Sequence, residues 1–185
     1  MRKLIESTFM SIDGVISSAE KWSAPYWDEE YSAYARELLF ASDALLLGRE
    51  TYEGFARSWP RLESVEGDYA VRMNTLPKYV ASRTLTEATW NATIIKGDVP
   101  DEVAKLKQQP GQNILKFGTG ELDTTLLEHR LVDEYHLWIC PVVAGSGGRL
   151  LDGIDTTHLK LVKTTTFASG VVVLTYTPGD ASQGR

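Results

Sequence analysis

The sequence predicts an α/β fold of three αβα layers, with helices on both faces of a mixed, mostly parallel central sheet and an antiparallel C-terminal hairpin. Three observations predict it. Strand-like apolar runs alternate with segments of helical periodicity over most of the chain. The first strand carries apolar residues on both faces, as a strand inside a covered sheet does. The last two strand runs are joined by Ser169-Gly170, a hairpin signal. At 185 residues and 43% hydrophobic, the chain has the size and apolar content for one domain with a sizeable core. No linker, repeat or low-complexity block divides it. One domain is expected over 1–178, followed by a flexible tail over 179–185.

The elements follow in order. Lys3 to Ile12 reads as a strand, with Leu4, Met10 and Ile12 on one face and Ile5 and Phe9 on the other. Asp13-Gly14 breaks it, and a Ser-rich loop runs to Ala24. Pro25 to Ala41 is helical in pattern: Tyr31, Tyr34, Ala35, Leu38 and Leu39 recur at spacings of three and four, with acids in the first turn where the helix dipole favours them. Asp43 to Gly48 is a short buried strand, and Arg49 to Ser58 a helix directly after its glycine. Pro60 to Gly67 is irregular, and Asp68 to Thr75 a short helix. Pro77 to Ser82 and Thr93 to Ile95 are strands. Pro100 to Gln109 is a helix with proline near its start, where a missing N–H does no harm. Asn113 to Phe117 is a buried strand, Thr119 to Arg130 a helix, and Val132 to Val143 a long strand running into Gly145-Ser146-Gly147-Gly148. Leu159 to Ala168 and Val171 to Thr177 form the hairpin.

Composition removes several function classes. The chain carries 19 Lys+Arg against 25 Asp+Glu, net −6, without a basic block, so no nucleic-acid partner is expected. The lone Cys140 excludes a disulfide framework within the chain and a cysteine-based zinc site. His129, His136 and His158 have no metal-ligand spacing, so no metal is expected. There is no G-x-S-x-G elbow. The N-terminal run lacks a signal-type apolar region, and the apolar runs are too short to span a bilayer. No membrane association is expected, and the expected compartment is the cytoplasm.

Three strand-to-helix junctions can carry chemistry. At Gly48-Arg49-Glu50-Thr51 a glycine lets the backbone approach a ligand, and the free N–H groups of the next helix attract an anion. Arg49 and the Thr51 hydroxyl can add direct contacts, although Arg49 can equally pair with Glu53 at i+4. At Gly118-Thr119-Gly120-Glu121-Leu122 a pyrophosphate can rest against a helix N-terminus. The sixth position is Asp123 rather than glycine, so this is not the Rossmann fingerprint. At Ser82-Arg83 a hydroxyl and a guanidinium at a strand end suit a phosphate monoester, and a solvated turn suits them as well. In an open α/β sheet such strand ends share one rim, along which ligands bind. Separately, Trp22, Tyr26 and Trp27 lie near Asp28, Glu29 and Glu30. Aromatics with a carboxylate can hold a flat heterocycle bearing ring N–H groups, and the same residues also make an ordinary helix start.

Read in order, the junctions resemble a known family. Ser11-Ile12-Asp13-Gly14-Val15-Ile16 is similar to its S-x-D-G-x-I element. Asp43 to Tyr52 (DALLLGRETY) is similar to D-x-x-x-x-G-R-x-T-Y/W. Gly118 to Leu122, with Leu131 to Leu137 (LVDEYHL) and Pro141 to Gly147 (PVVAGSG), resembles the closing run. These belong to the dihydrofolate reductase superfamily. The closer branch is the reductase (RibD C-terminal) domain of the bifunctional riboflavin-biosynthesis deaminase/reductase, with its stand-alone relatives. The resemblance spans nearly the whole chain. It implies a dihydrofolate-reductase-like fold, NADPH as cofactor, a small heterocyclic substrate and often a homodimer. It places Ile16 and its loop by the nicotinamide and Gly48, Arg49 and Thr51 on the phosphates. Ser82 and Arg83 fall near the 2′-phosphate, and Gly118, Thr119, Gly120, Glu121 and Leu122 around the pyrophosphate.

Dihydrofolate reductases set one carboxylate of the first helix against the pterin ring, and Asp28, Glu29 and Glu30 fall near that place. The zinc deaminase domain usually fused to the biosynthetic reductase does not lie within these 185 residues, which leaves the substrate open. The expected activity is NADPH-dependent hydride transfer to a heterocyclic imine or carbonyl, of pteridine or aminopyrimidine type. The cofactor carries the chemistry, so no nucleophilic triad is needed. Asp13 is expected to order the first loop, one of Asp28 and Glu29 to orient substrate or relay a proton, and Trp22 and Trp27 to line the substrate side. Two other readings stay open: a non-catalytic dimeric NADP(H)-binding or sensor module, and a structural dimer with Pro141 to Gly148 at its interface.

Overall fold

The computed structural model describes residues 1–180; the expected tail lies outside the described residues from position 181 on. The first strand, β1, spans Leu4–Ser11 and is followed by a short helix α1 (Ala19–Ser23), a 3₁₀ turn at Ala24–Tyr26 and helix α2 (Glu29–Phe40). Strand β2 (Ser42–Gly48) runs directly into α3 (Arg49–Ser58); α4 (Glu63–Glu66) and α5 (Asp68–Thr75) lead to β3 (Lys78–Ala81) and β4 (Ala92–Ile95). Helix α6 (Val99–Gln108), β5 (Asn113–Phe117), α7 (Glu121–Glu128) and β6 (Glu134–Cys140) follow, and β7 (Leu159–Thr166) and β8 (Val172–Pro178) close the chain.

The strands form one eight-stranded sheet in the order β4-β3-β2-β5-β1-β6-β8-β7. All pairs from β4 to β6 are parallel, and β8 is antiparallel to both β6 and β7. Parallel neighbours need crossover helices, and those helices cover both faces. On one face, Leu45, Leu47, Leu115, Trp138 and Val173 pack with Leu38, Leu39, Tyr52 and Met73 from α2, α3 and α5. On the other, Leu4, Ala44, Leu46, Ile114 and Tyr135 pack with Val103, Leu106, Leu126 and Leu127 from α6 and α7. The alternation of neighbouring residues between the two clusters is the period of two that the strands' sequences carry.

Several boundaries differ from the sequence expectation for local reasons. The helix expected from Pro25 begins at Glu29, because the Asp28 carboxylate accepts the Tyr31 N–H at 2.8 Å and caps it there; Pro25 sits in the preceding 3₁₀ turn. The helix expected from Thr119 begins at Glu121, after a Gly120 with φ +155°. Strand β6 stops at Cys140, because Pro141 has no N–H for the ladder. Ile12, expected inside β1, lies beyond its end and is exposed. The Ser-rich loop contains α1.

Leu115, in β5, is fully buried between neighbouring strands. Leu115→Ala is expected to lower unfolding free energy by about 2–5 kcal/mol, the range for truncating a buried leucine. Urea denaturation checks this; a loss under about 1 kcal/mol would mean that the site closes around the smaller side chain.

Candidate active site

Because β2 to β5 run parallel, their carboxyl ends face one rim, and the helices that follow start there. Helix α3 begins at Gly48-Arg49, α6 at Asp98-Val99 and α7 after Gly118-Thr119-Gly120. All three N-termini line a single cleft of about 940 Å³. The first N–H groups of a helix have no acceptor within it, and the helix dipole makes that end favourable for anions. Arg49, Arg83 and Lys96 line the same cleft. Convergent N–H groups and cations suit a ligand with several negative charges along its length.

The glycines here have different jobs. Gly118 has φ +77°, and a Cβ on it would lie 1.9 Å from the Thr51 hydroxyl oxygen. Only glycine fits there, and Thr51 thereby packs the start of α3 against the turn before α7. Gly48 differs from Gly118. Its φ of −76° suits any residue, and a Cβ would meet nothing within 4 Å, so Gly48 contributes open space rather than conformational freedom.

Arg49 makes the i+4 pair at the edge of the cleft. Its guanidinium lies 3.2 Å from Glu53 and 3.4 Å from Glu50, on the wall of the cleft. Arg83 reaches Glu121 at 2.6 Å, joining the loop after β3 to the first residue of α7. Both partners are about 85% exposed, so solvent screens the pair and a bound anion can replace it at little cost. The Ser82 hydroxyl accepts the N–H groups of Thr84 and Leu85 at 3.2 and 2.9 Å, shaping that loop. Thr119 and Leu122 complete the wall beside Gly120.

Beneath the turn lies a charged group that sequence reasoning missed. Glu6 of β1 and Lys116 of β5 are register partners, both almost wholly buried on the α7 side of the sheet. Lys116 Nζ lies 3.0 Å from Glu6 and pairs with Asp123 of α7. It also donates to the Gly118 carbonyl, while Asp123 accepts the Gly120 N–H at 2.6 Å. Thr8 donates to Glu6. Burial pushes the Glu6 carboxyl up to about 8, against the opposing pull of Lys116. Burial also works against the Lys116 ammonium, but Glu6 and Asp123 hold its pKa above the ordinary lysine value. Opposite charges at the inner positions of two strands, LIESTFMS and NILKF, were the available signal. Lys96, Asp98 and Pro100 were missed too; a glycine, an N-capping Asp and a proline after a strand mark a fourth junction of the same kind.

The first loop is tied down through Asp13. Asp13 accepts the Ser11 hydroxyl at 2.7 Å and the N–H groups of Ala144 and Gly145 at 3.0 and 2.8 Å. The Ser11 hydroxyl, followed by the Ala144 N–H, holds its carboxyl down to about 2. Arg149 donates to the Asp13 carbonyl, and Ile16 donates its N–H to Gly148 at 2.9 Å. Ile16 and Arg149 line a smaller cavity of about 220 Å³ that shares Gly120, Glu121 and Asp123 with the main cleft.

The acid and aromatic group lies at the start of α2, outside the residues that line either cavity. Asp28 is the helix cap, its carboxyl held below the ordinary value by the Tyr31 N–H. Glu29 is exposed in the first turn. Trp27, about half exposed, stacks on Tyr31 at 5.7 Å and 13°, and Tyr31 stacks in turn on Phe9. Trp22 donates its indole N–H to the Ser17 carbonyl at 3.1 Å, so it braces the loop that carries Ile16. Cys140 is buried, its thiol pushed up to about 11 by burial. His136 is buried against the Tyr34 hydroxyl at 2.8 Å, its pKa lowered by burial.

Comparison with known proteins gives this arrangement its context. The family model described as the RibD C-terminal domain matches residues 2–173. The uncharacterized protein YyaP of Bacillus subtilis is 33% identical over 181 residues, covering 95% of this chain and 94% of YyaP. A putative riboflavin biosynthesis protein from Shewanella sp. PV-4 superposes with a TM-score of 0.71 at 20% identity, covering 96% of this chain and 99% of that one. Dihydrofolate reductase from Enterococcus faecalis, in a complex with NADP(H), superposes with a TM-score of 0.66 at 14% identity, over 96% and 97% of the two chains. The fold is dihydrofolate-reductase-like, as the resemblance implied.

The raised Glu6 pKa makes a stability prediction. Between the ordinary value of 4.5 and about 8, the folded state holds a proton that the unfolded state has released. The stability tied to that proton is therefore full below the lower value and lost as pH rises through the upper one. The melting temperature of the wild type should fall more between about pH 5 and about pH 8 than that of Glu6→Gln, which keeps a neutral side chain throughout. Parallel curves in differential scanning calorimetry would show that Glu6 does not titrate in this window.

Proposed function

We propose that this chain, which belongs to the RibD C-terminal domain family, is an NADPH-dependent reductase acting on a heterocyclic imine or carbonyl of pteridine or aminopyrimidine type. The observation that carries the reading is the convergence of three helix N-termini with Arg49, Arg83 and Lys96 on one cleft. The residues fit the cofactor. The turn at Gly118 admits no side chain, and the groove runs from Ser82, Arg83 and Lys96 past the α3 and α7 N-termini. A dinucleotide with a pyrophosphate and a ribose phosphate has its charges spread in that way. The structural neighbour complexed with NADP(H) supports the same choice.

When bound, the cofactor supplies a hydride; this chain's own residues bind, orient and shield. Arg49, Thr51 and the turn from Gly118 to Leu122 take the pyrophosphate. Ser82, Arg83 and Lys96 take the 2′-phosphate. The loop carrying Ile16, held by Asp13 to Ala144 and Gly145, encloses the reactive end and excludes water. Fixing two reactants in a near-attack arrangement can supply roughly 7–11 kcal/mol of a barrier. Asp28 is committed to capping α2 in its ionised form, so Glu29 is the acid that orients substrate or passes a proton, with Trp22 and Trp27 at the substrate side. We also propose a homodimer, which the exposed β7 edge with Leu161 and Val162 supports; light scattering tests it.

Thermal denaturation tests the cofactor. NADPH at about a hundred times its Kd is expected to raise the melting temperature by roughly 5–10 °C, and NADH at the same concentration by less. Lys96→Ala is expected to cut the preference for NADPH over NADH about tenfold, the scale of one charge-assisted hydrogen bond. Glu121→Gln removes a negative charge from the cleft and releases Arg83, so it should tighten NADPH binding. No shift with saturating NADPH would end the reading. NADPH oxidation over a panel of heterocycles tests turnover. Glu29→Gln is expected to lower kcat, and an unchanged rate would take Glu29 out of the mechanism.

A further inference from the structure

We infer that Lys116 is a positioning residue that sets the Gly118–Gly120 turn in its anion-receiving shape before any ligand arrives, with Glu6 and Asp123 holding Lys116 in place. The inference rests on the reading of the cleft as a dinucleotide site, and it names what builds the pyrophosphate end of that site.

The turn has two backbone groups that can drift. The Gly118 carbonyl precedes the bend and the Gly120 N–H follows it. Both glycines lie at positive φ, +77° and +155°, where glycine is freest and the chain is least self-defining. Each of those groups is tied to the buried cluster: Lys116 Nζ takes the carbonyl, and Asp123 takes the N–H. Lys116 and Asp123 are themselves paired, so the two ends of the turn are clamped to each other through one ion pair. Drawing the Gly118 carbonyl down toward the sheet also keeps an oxygen, which would repel a phosphate, out of the cleft.

The surroundings show that the cluster is specific to this task. Apolar Leu4, Ile114, Leu126 and Leu127 pack in the layer between the sheet and α7, with the Thr8 hydroxyl on Glu6. Charges there must give up their hydration, and apolar residues of similar volume would fill the space without that penalty. Glu6 completes the clamp from β1. It flanks Lys116 in register, with Tyr135 of β6 on its other side, and it stops the ammonium from swinging away from the turn. Lys116 lies at the floor of the cleft with only about 1% of its side chain exposed, and its ammonium is spent on Glu6, Asp123 and the Gly118 carbonyl, so it acts through the backbone of the turn.

Two variants test this, because Lys116→Met alone leaves the buried Glu6 and Asp123 side chains without their shared partner. The second is the double variant Glu6→Gln/Lys116→Met, which puts a neutral amide in place of the Glu6 carboxyl while Asp123 still caps Gly120. Calorimetric and NMR titrations are made with NADPH, NADH and adenosine 2′-phosphate, the last of which lacks the pyrophosphate. The expected result is a loss of about tenfold or more in affinity for both dinucleotides, the scale of one charge-assisted hydrogen bond. Affinity for adenosine 2′-phosphate is expected to stay within about twofold of the wild type, since Ser82, Arg83 and Lys96 are untouched. If a folded variant binds NADPH as tightly as the wild type, the inference is wrong while the cleft reading stands. A parallel fall for all three ligands reduces Lys116 to general structural support and overturns it as well. If the wild type binds no dinucleotide, the cleft reading fails and this inference falls with it.

Discussion

Parallel pairing of the six strands from β4 to β6 is the constraint on which the rest of this molecule depends. A parallel ladder forces each return crossover to start from the same rim, and in this chain three such crossovers begin with a helix N-terminus. Unpaired N–H groups and dipole ends that would lie scattered over an antiparallel sheet are collected along one edge. The cleft is the consequence. Arg49, Arg83 and Lys96 reach it from three separate junctions, which this strand order brings to one rim. The C-terminal hairpin leaves this arrangement alone, because β8 and β7 extend the sheet from β6 on the side away from β2, β3 and β4.

Charges on and under that rim play opposite parts, and burial decides which. The Arg83–Glu121 pair is open to solvent, where such pairs contribute roughly 0–1 kcal/mol. It costs little to break and leaves the cleft adaptable. The Glu6–Lys116–Asp123 cluster is shut away from water. Replacing a buried ion group by well-packed apolar residues is often neutral or stabilising by about 1–4 kcal/mol, whereas removing one partner costs about 3–5 kcal/mol. Stability alone is thus a poor reason for the cluster, and its hydrogen bonds to Gly118 and Gly120 supply a better one. Asp13 does comparable work at a half-buried site, where the Ala144 and Gly145 N–H groups it accepts join the first loop to the segment after β6.

Around the acids, local chemistry took precedence over the expected role. Asp28, Glu29 and Glu30 share one helix start, yet they are differently occupied. Asp28 caps α2, and Glu30 accepts the Ala168 N–H from the hairpin at 2.6 Å. The Tyr31 N–H favours the ionised form of Asp28, whereas Glu29 stands exposed in the first turn. Trp22 and Trp27 divide similarly, the first bracing the loop after Asp13 and the second stacking on Tyr31 with half its surface in water.

Much of this was legible in the residues. The apolar runs of β1, β2 and β5, the junction glycines, the proline in the first turn of α6 and the Ser169-Gly170 hairpin are local signals that depend only on backbone sterics and the apolar content of each segment. So the elements, their order and the junctions at Arg49, Ser82 and Gly118 could be read directly. Glu6 and Lys116 could not be joined in that way. They stand 110 positions apart and become neighbours only because β5 slots between β1 and β2, a choice made by the packing of the whole sheet. Lys96 reaches the same cleft as Arg83 for the same reason. Local periodicity determined what each segment became; strand order, a property of no single segment, decided which side chains share the cleft and which charges lie buried beneath it.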